Sequence, residues 1–211
     1  MRRLVVLVIA ILALGSLGGL EAQKKPVTQP LLTAPIAGQG VALLPITMVI
    51  TEPSVPKGSL PVERPLLLKL VDSLLGEGAI QRAPEVKWIG PPELRRMARR
   101  GGGLVPDPDQ LGQSIMRPWS LKIVPDPLRS NLRKLLAVAG GWRFALIPAS
   151  LIFATDSAGA LVADLSIVLA DVRTGKVVWR SIAKGRGEDA AEVLGKAVAT
   201  IFPVEGESSG R

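Results

Sequence analysis

RFALIPASLIFAT at residues 143–155, ALVADLSIVLADV at 160–172 and KVVWRSIA at 176–183 decide how this chain folds. Each run is rich in branched apolar residues and too short for a membrane span, and short polar links separate them, as strands of one sheet require. Along the middle run, Leu165, Ile167 and Leu169 share one face, while Asp164, Ser166, Val168 and Ala170 share the other. One face is wholly apolar and the other mixed, which is the pattern of a strand buried more deeply on one side. The second and third runs meet at Arg173-Thr174-Gly175-Lys176, where Gly175 supplies the positive φ that tight hairpin turns demand.

Helices are expected on both sides of these strands in the chain. Residues 127–139 follow Asp126 as N-cap with Pro127 in the first turn, place Leu128, Leu132, Leu135 and Leu136 on one side, and stop at Gly140-Gly141. Residues 188–202 carry the stripe Ala190, Val193, Leu194, Ala197, Val198 and Ile201, with Glu188 and Asp189 at the favourable end of the helix dipole. Nearer the start, VALLPITMVI at 41–50 reads as one strand that Pro45 demotes to an edge, a bulge or a strand end. Residues 65–75 then read as a helix stopped by Gly76 and Gly78, and 79–89 as a weak strand interrupted by Pro84. Pro91-Pro92-Glu93 opens a short basic helix that Gly101-Gly102-Gly103 ends, and 104–125 reads as a long Pro-rich loop. The expected fold class is α/β: a two-layer sandwich with a mixed, largely antiparallel sheet of 4–5 strands and 3–4 helices mainly on one face.

The amino terminus has the three regions of an export signal: Arg2 and Arg3, an apolar run over 4–14, then Gly15, Ser16, Gly18 and Gly19. Cleavage after Ala22 is expected; retention as an anchor is the alternative, because 4–20 approaches the roughly 20 apolar residues that span a bilayer. The domain reading is therefore 1–22 signal peptide, 23–40 Pro/Gly-rich flexible tether, 41–203 a single α/β domain and 204–211 a disordered tail, in a periplasmic or secreted protein.

Composition narrows the chemistry. The chain has no Cys and no His, so disulfides, thiolate metal sites, cysteine nucleophiles and the usual neutral-pH general base cannot be built. No cofactor or metal site is expected. The formal charge is +8, from 26 Lys and Arg against 18 Asp and Glu, which invites anionic partners.

The order strand VALLPI, apolar helix, weak strand, RFALIPASLIF, hairpin, alanine-rich helix resembles the periplasmic α/β domain family shared by CsgG, the amino-terminal domain of TolB and LpoB. The positions that carry the resemblance are 41–46, 143–149, and Asp171, Thr174, Gly175 and Trp179. It implies an envelope domain that binds or assembles with other proteins. The chain lacks the lipobox Cys of CsgG and LpoB, the membrane-spanning insert of CsgG and the propeller of TolB.

The expected function is a non-enzymatic, exported cell-envelope protein acting as a protein-binding, adaptor or assembly domain, with another envelope protein or a second copy as partner. The alternative is a polyanion-binding protein that grips lipopolysaccharide or an acidic glycan through Arg95, Arg96, Arg99 and Arg100, which fall on adjacent stripes of one short helix. Nucleic acid is not expected, and a membrane only through an uncleaved leader. Trp119, in the Pro-rich loop, is the candidate aromatic partner contact. A carboxylate-dependent glycan hydrolase is the third reading, resting on Asp156, Asp164 and Asp171, each of which also suits a turn or a solvated strand face.

Overall fold

The computed structural model describes residues 32–203. The expected leader, residues 23–31 of the expected tether, and the tail 204–211 lie outside the described residues. In chain order the strands are β1 (Gly40–Leu43), β2 (Val49–Thr51), β3 (Lys87–Ile89), β4 (Phe144–Thr155), β5 (Leu161–Asp171) and β6 (Val177–Gly187). The helices are α1 (Arg64–Arg82), α2 (Pro91–Arg100), α3 (Leu128–Val138) and α4 (Ala190–Ile201).

The sheet runs β3-β1-β4-β5-β6, and β2 also pairs with β4. The long β4, β5 and β6 form an antiparallel meander. The short β1, β2 and β3 pair in parallel. The fold is thus α/β with a mixed sheet, largely antiparallel by paired length. It has one strand more than the 4–5 expected, because the run 41–50 is two strands and not one. β1 and β2 lie end to end along the same edge of β4, opposite residues 144–146 and 151–153. Between them the chain leaves the ladder at Pro45, which has no N–H to give, and β4 answers with a register shift between Pro148 and Ser150.

The alternation of β5 builds two cores. Leu165, Ile167 and Leu169 join Val71, Leu75, Val193, Leu194 and Val198 under α1 and α4, the sheet-plus-helix pair that the periodicity predicts. Val168 and Ala170 face the other way and join Leu94 of α2, four leucines of α3, Met116 and Val124. The segment 104–125 is part of that second core and not a free excursion: Leu111 and Met116 are buried, and Gln113 is fully enclosed.

Neither of the two glycines read as helix stops ends the helix. α1 runs through Gly76 and Gly78 to Arg82, so residues 79–82 are helical and only Lys87–Ile89 of the expected 79–89 strand pairs in the sheet. A Cβ added at Gly78 would overlap Val198 of α4, whereas one at Gly76 would meet nothing within 4 Å. Gly78 is a notch where the two helices touch. Gly185 acts in the same way on β6, where an added Cβ would overlap the carbonyl of Val193. β6 consequently continues past residue 183, under α4, to Gly187.

Packing also begins before Val41. Ile36, in a one-turn 3-10 helix at Ala34–Ile36, is buried in the first core, and Thr33 donates its hydroxyl to Glu85. Residues 33–40 therefore belong to the folded domain and not to the tether.

Candidate interaction surface

Among the described residues, the two cores leave part of the sheet uncovered. On the α3 side, the second core covers Ala42, Leu44, Ala145, Ile147, Ala149, Val168 and Ala170. Farther along the same strands, the register sets three rows on that face: Ser150, itself buried, with Ser166 and Ile182; Ile50, Ile152, Asp164 and Lys184; Ala154, Val162 and Arg186. Ile50, Ile152, Val162 and Ile182 belong to neither core, and Ile182 is 48% exposed. The helical layer thus ends halfway along the sheet.

Cations rim this face along β6. Lys184 reaches Asp164 at 3.6 Å, and Arg186 pairs with Asp156. Arg180 donates to the carbonyls of Pro118 and Leu121 and lies over the Trp119 ring at 5.4 Å, so its charge has no carboxylate against it. Arg117, beside a shallow hollow lined with Ser114, Ile115 and Pro118, touches the sulfur of Met48. Along β6 on this face, Lys184 and Arg186 therefore each have a carboxylate partner, while Arg180 is held by backbone carbonyls. Trp119, 55% exposed, stands on this rim where the sequence offers it as a contact.

The four arginines of α2 are not equivalent. Arg95 donates to Asp72 and to Asp109, each at 2.7 Å, and Asp72 also accepts the N–H of Ile46 at 2.8 Å. Burial pushes the Asp72 carboxyl above its ordinary range, against those hydrogen bonds, while the bonds to Asp109 and Asp72 hold the Arg95 guanidinium firmly protonated. Arg95 thus closes the gap in the sheet at residues 45–47. Gln113 completes the closure by donating to the carbonyls of Pro45 and Pro108. Arg96 pairs with Glu93 on the helix surface at 3.1 Å. Arg99 and Arg100 are exposed.

The three hairpin aspartates are each engaged. Asp171 accepts from Arg143 and from the N–H groups of Arg173 and Thr174; its burial opposes ionisation, but these partners prevail and hold it below the ordinary carboxylate value. Asp156 accepts from Arg186 and from the N–H groups of Ala158 and Ala160, which lowers it as well. Asp164 lies in the row with Lys184. Asp164 and Asp171 are seven residues apart on one strand, roughly 23 Å, too far to act on one bond. Among the described residues no group of three or more acidic side chains is placed to hold a metal ion, and no helix is long and apolar enough to cross a membrane.

The residues that sequence reasoning missed are Asp72, Gln113 and the Ile50, Ile152, Val162, Ile182 face. Only strand register brings the last four together. No family model matches the sequence, and no curated protein matches it. Among solved structures the chain is similar to the LpoB C-terminal domain from Escherichia coli, at 14% identity over 71% of this chain and 83% of that one, with a TM-score of 0.38. It is also similar to lipoprotein GNA1162 from Neisseria meningitidis, at 13% identity over 77% and 92%, TM-score 0.37. A third is the PelC dodecamer from Paraburkholderia phytofirmans, at 11% identity over 79% and 88%, TM-score 0.36.

Proposed function

We propose that this chain is an exported envelope protein whose activity is non-covalent: it presents the uncovered half of its sheet to a protein partner. The observation that carries the reading is the unfinished layer. A sheet face with Ile50, Ile152, Val162 and Ile182 outside both cores and a border of ion pairs has the apolar centre and polar rim of a protein-binding site. The commitment of Asp156, Asp171 and Asp72 to arginines and backbone N–H groups supports binding over acid–base chemistry. Export by the leader belongs to the same proposal.

The test is fractionation of the native host followed by chemical crosslinking and purification of the tagged full chain from the envelope. An envelope protein recovered in both reciprocal captures supports the reading. A chain found in the cytoplasm, or one with no reciprocal partner, overturns it. The polyanion reading keeps only Arg99 and Arg100 as unengaged guanidinium groups on α2, since Arg95 and Arg96 have acidic partners.

A further inference from the structure

We propose that the end of the sheet at the turn between β5 and β6 docks on a bilayer surface rich in anionic phospholipid. This goes beyond the protein-binding reading and does not rest on it, since the open rows at Ile182, Lys184 and Arg186 lie toward the other end of the same strands.

The charges are segregated along the chain. Residues 110–155 hold six cations and a single acid, Asp126, and residues 172–187 hold five cations and no acid. Folding brings these two stretches together at one end of the sheet. Val124 donates its N–H to the carbonyl of Gly175 at 2.8 Å, and Val177 donates to that of Lys122 at 2.9 Å. Arg133 of α3 donates to the carbonyls of Val172 and Arg173, and a Cβ added at Gly175 would strike the side chain of Arg129. The turn is thus clasped between α3 and residues 122–124.

Much of the positive charge gathered there is uncompensated. Arg129 pairs with Asp126, and Arg143 with Asp171. Lys122, Arg173 and Lys176 are exposed and have no carboxylate partner among the described residues. Arg133, exposed as well, is bonded to neutral carbonyls, which orient its charge without cancelling it. At the opposite end Glu52 lies beside Phe153 of β4, Asp156 follows that strand, and Glu188, Asp189 and Glu192 stand where β6 passes into α4. The cations of that end, Lys184, Arg186 and Lys196, each have an acidic partner. A surface charged only for solubility intersperses both signs. This one separates them along the strands and turns one end toward negative charge.

Apolar exposure favours a bilayer over a soluble polyanion. Ile123, 54% exposed, follows Lys122 and stands opposite Lys176, and Val138, 51% exposed, lies one turn beyond Lys134 on α3. A polyanion in water offers nothing to cover such side chains, whereas the headgroup region of a bilayer takes aliphatic groups set among cations. No described helix is long and apolar enough to cross a membrane, so the contact is peripheral. A membrane contact expected only of the leader thus extends to the folded domain.

The test is flotation of the full chain, purified from its host's envelope, with vesicles of phosphatidylcholine alone and of phosphatidylcholine mixed equally with phosphatidylglycerol. The measure is the ratio of the two affinities, so any attraction of residues 1–22 to a bilayer as such cancels. Each Lys or Arg at an anionic surface contributes roughly fivefold in affinity, so a preference for the anionic vesicles on the order of several hundredfold is expected, falling as salt rises. Lys122→Gln with Arg173→Gln and Lys176→Gln lowers the ratio about a hundredfold. Lys57→Gln with Arg99→Gln and Arg100→Gln removes the same charge elsewhere and leaves the ratio within about threefold. Arg133 stays in place because it holds the turn, and melting curves check that each variant is folded. Ile123→Ser weakens binding to the anionic vesicles at least about threefold and leaves binding to soluble polyphosphate unchanged. A ratio near unity for the parent, or equal losses in the two triple variants, overturns the proposal. An Ile123→Ser chain with full vesicle affinity assigns the site to soluble polyanions and overturns the bilayer. Capture of a protein partner by the first triple variant stays at the parent's level, so the two readings fail separately.

Discussion

Asp72 of α1 and Arg95 of α2 are joined at 2.7 Å across the edge of the sheet, although their helices lie over opposite faces. The pair sits where β1 gives way to β2, and Asp72 also holds the N–H of Ile46 that the ladder has dropped. One carboxylate therefore repairs the break and ties the two layers together.

Replacing Asp72 with Ala is expected to cost about 2–4 kcal/mol, because it strips a buried N–H and a partly buried guanidinium of their acceptor. Arg95→Gln is expected to cost about 1–3 kcal/mol by leaving Asp72 buried without its cation, whereas Arg99→Gln or Arg100→Gln stays within about 0.5 kcal/mol. Urea unfolding of the four variants side by side checks this. Equal effects at 95 and 99 would remove the structural role given to Arg95.

The glycines of α1 make a matched pair. Gly78→Ala pushes a methyl into Val198 and is expected to destabilise by about 1–3 kcal/mol as overpacking does. Gly76→Ala has open space and is expected to stabilise by up to about 1 kcal/mol through helix propensity. Thermal denaturation of both variants reads the difference directly.

Much of this fold is legible in the sequence, and the failures have a common cause. Period-two alternation in 160–172 and the capped leucine stripe of 127–139 are local signals, and β5 and α3 appear within a residue or two of their expected bounds. Gly76 and Gly78 misled because a glycine that ends a helix and one that admits a neighbouring helix look alike until Val198 is in view. Residues 41–50 read as one strand because the compensating shift in β4 lies a hundred residues away. Trp119 stands out in the sequence as an aromatic in a Pro-rich loop, and its 55% exposure is visible only in the structure. The bare face was not legible, since Ile152, Val162 and Ile182 are set side by side only by inter-strand register.

Acid should loosen the protein in a defined window. Asp171 is held below its ordinary value because Arg143 and two turn N–H groups outweigh its burial, and Asp156, held down chiefly by Arg186, shifts the same way. A carboxyl lowered on folding contributes stability that is fully present above its unfolded value, about 3.9, and is lost as pH falls through the lower folded value. Asp72, raised by burial, works in the opposite sense. Denaturant midpoints should therefore fall as pH drops below about 4, and Asp171→Asn, less stable at pH 7, should flatten that fall. An unchanged slope in the variant would exclude Asp171 as a contributor.

Trp119→Ala removes an exposed ring and its stacking with Arg180, an arrangement worth about 0.5–1 kcal/mol at the surface. Its melting temperature should stay close to that of the parent, while recovery of the envelope partner should drop. A variant that melts much earlier would place Trp119 in the fold and not on the rim.

The central claim is that the open half of the sheet is kept bare for a partner. Ile182→Glu puts a charge in the middle of that face, on a side chain already in contact with solvent. Reciprocal capture from native envelopes, paired with a melting curve of the same variant, measures both consequences together. The account predicts an unchanged melting temperature and at least a tenfold loss of captured partner; full capture by a normally folded Ile182→Glu chain would contradict it.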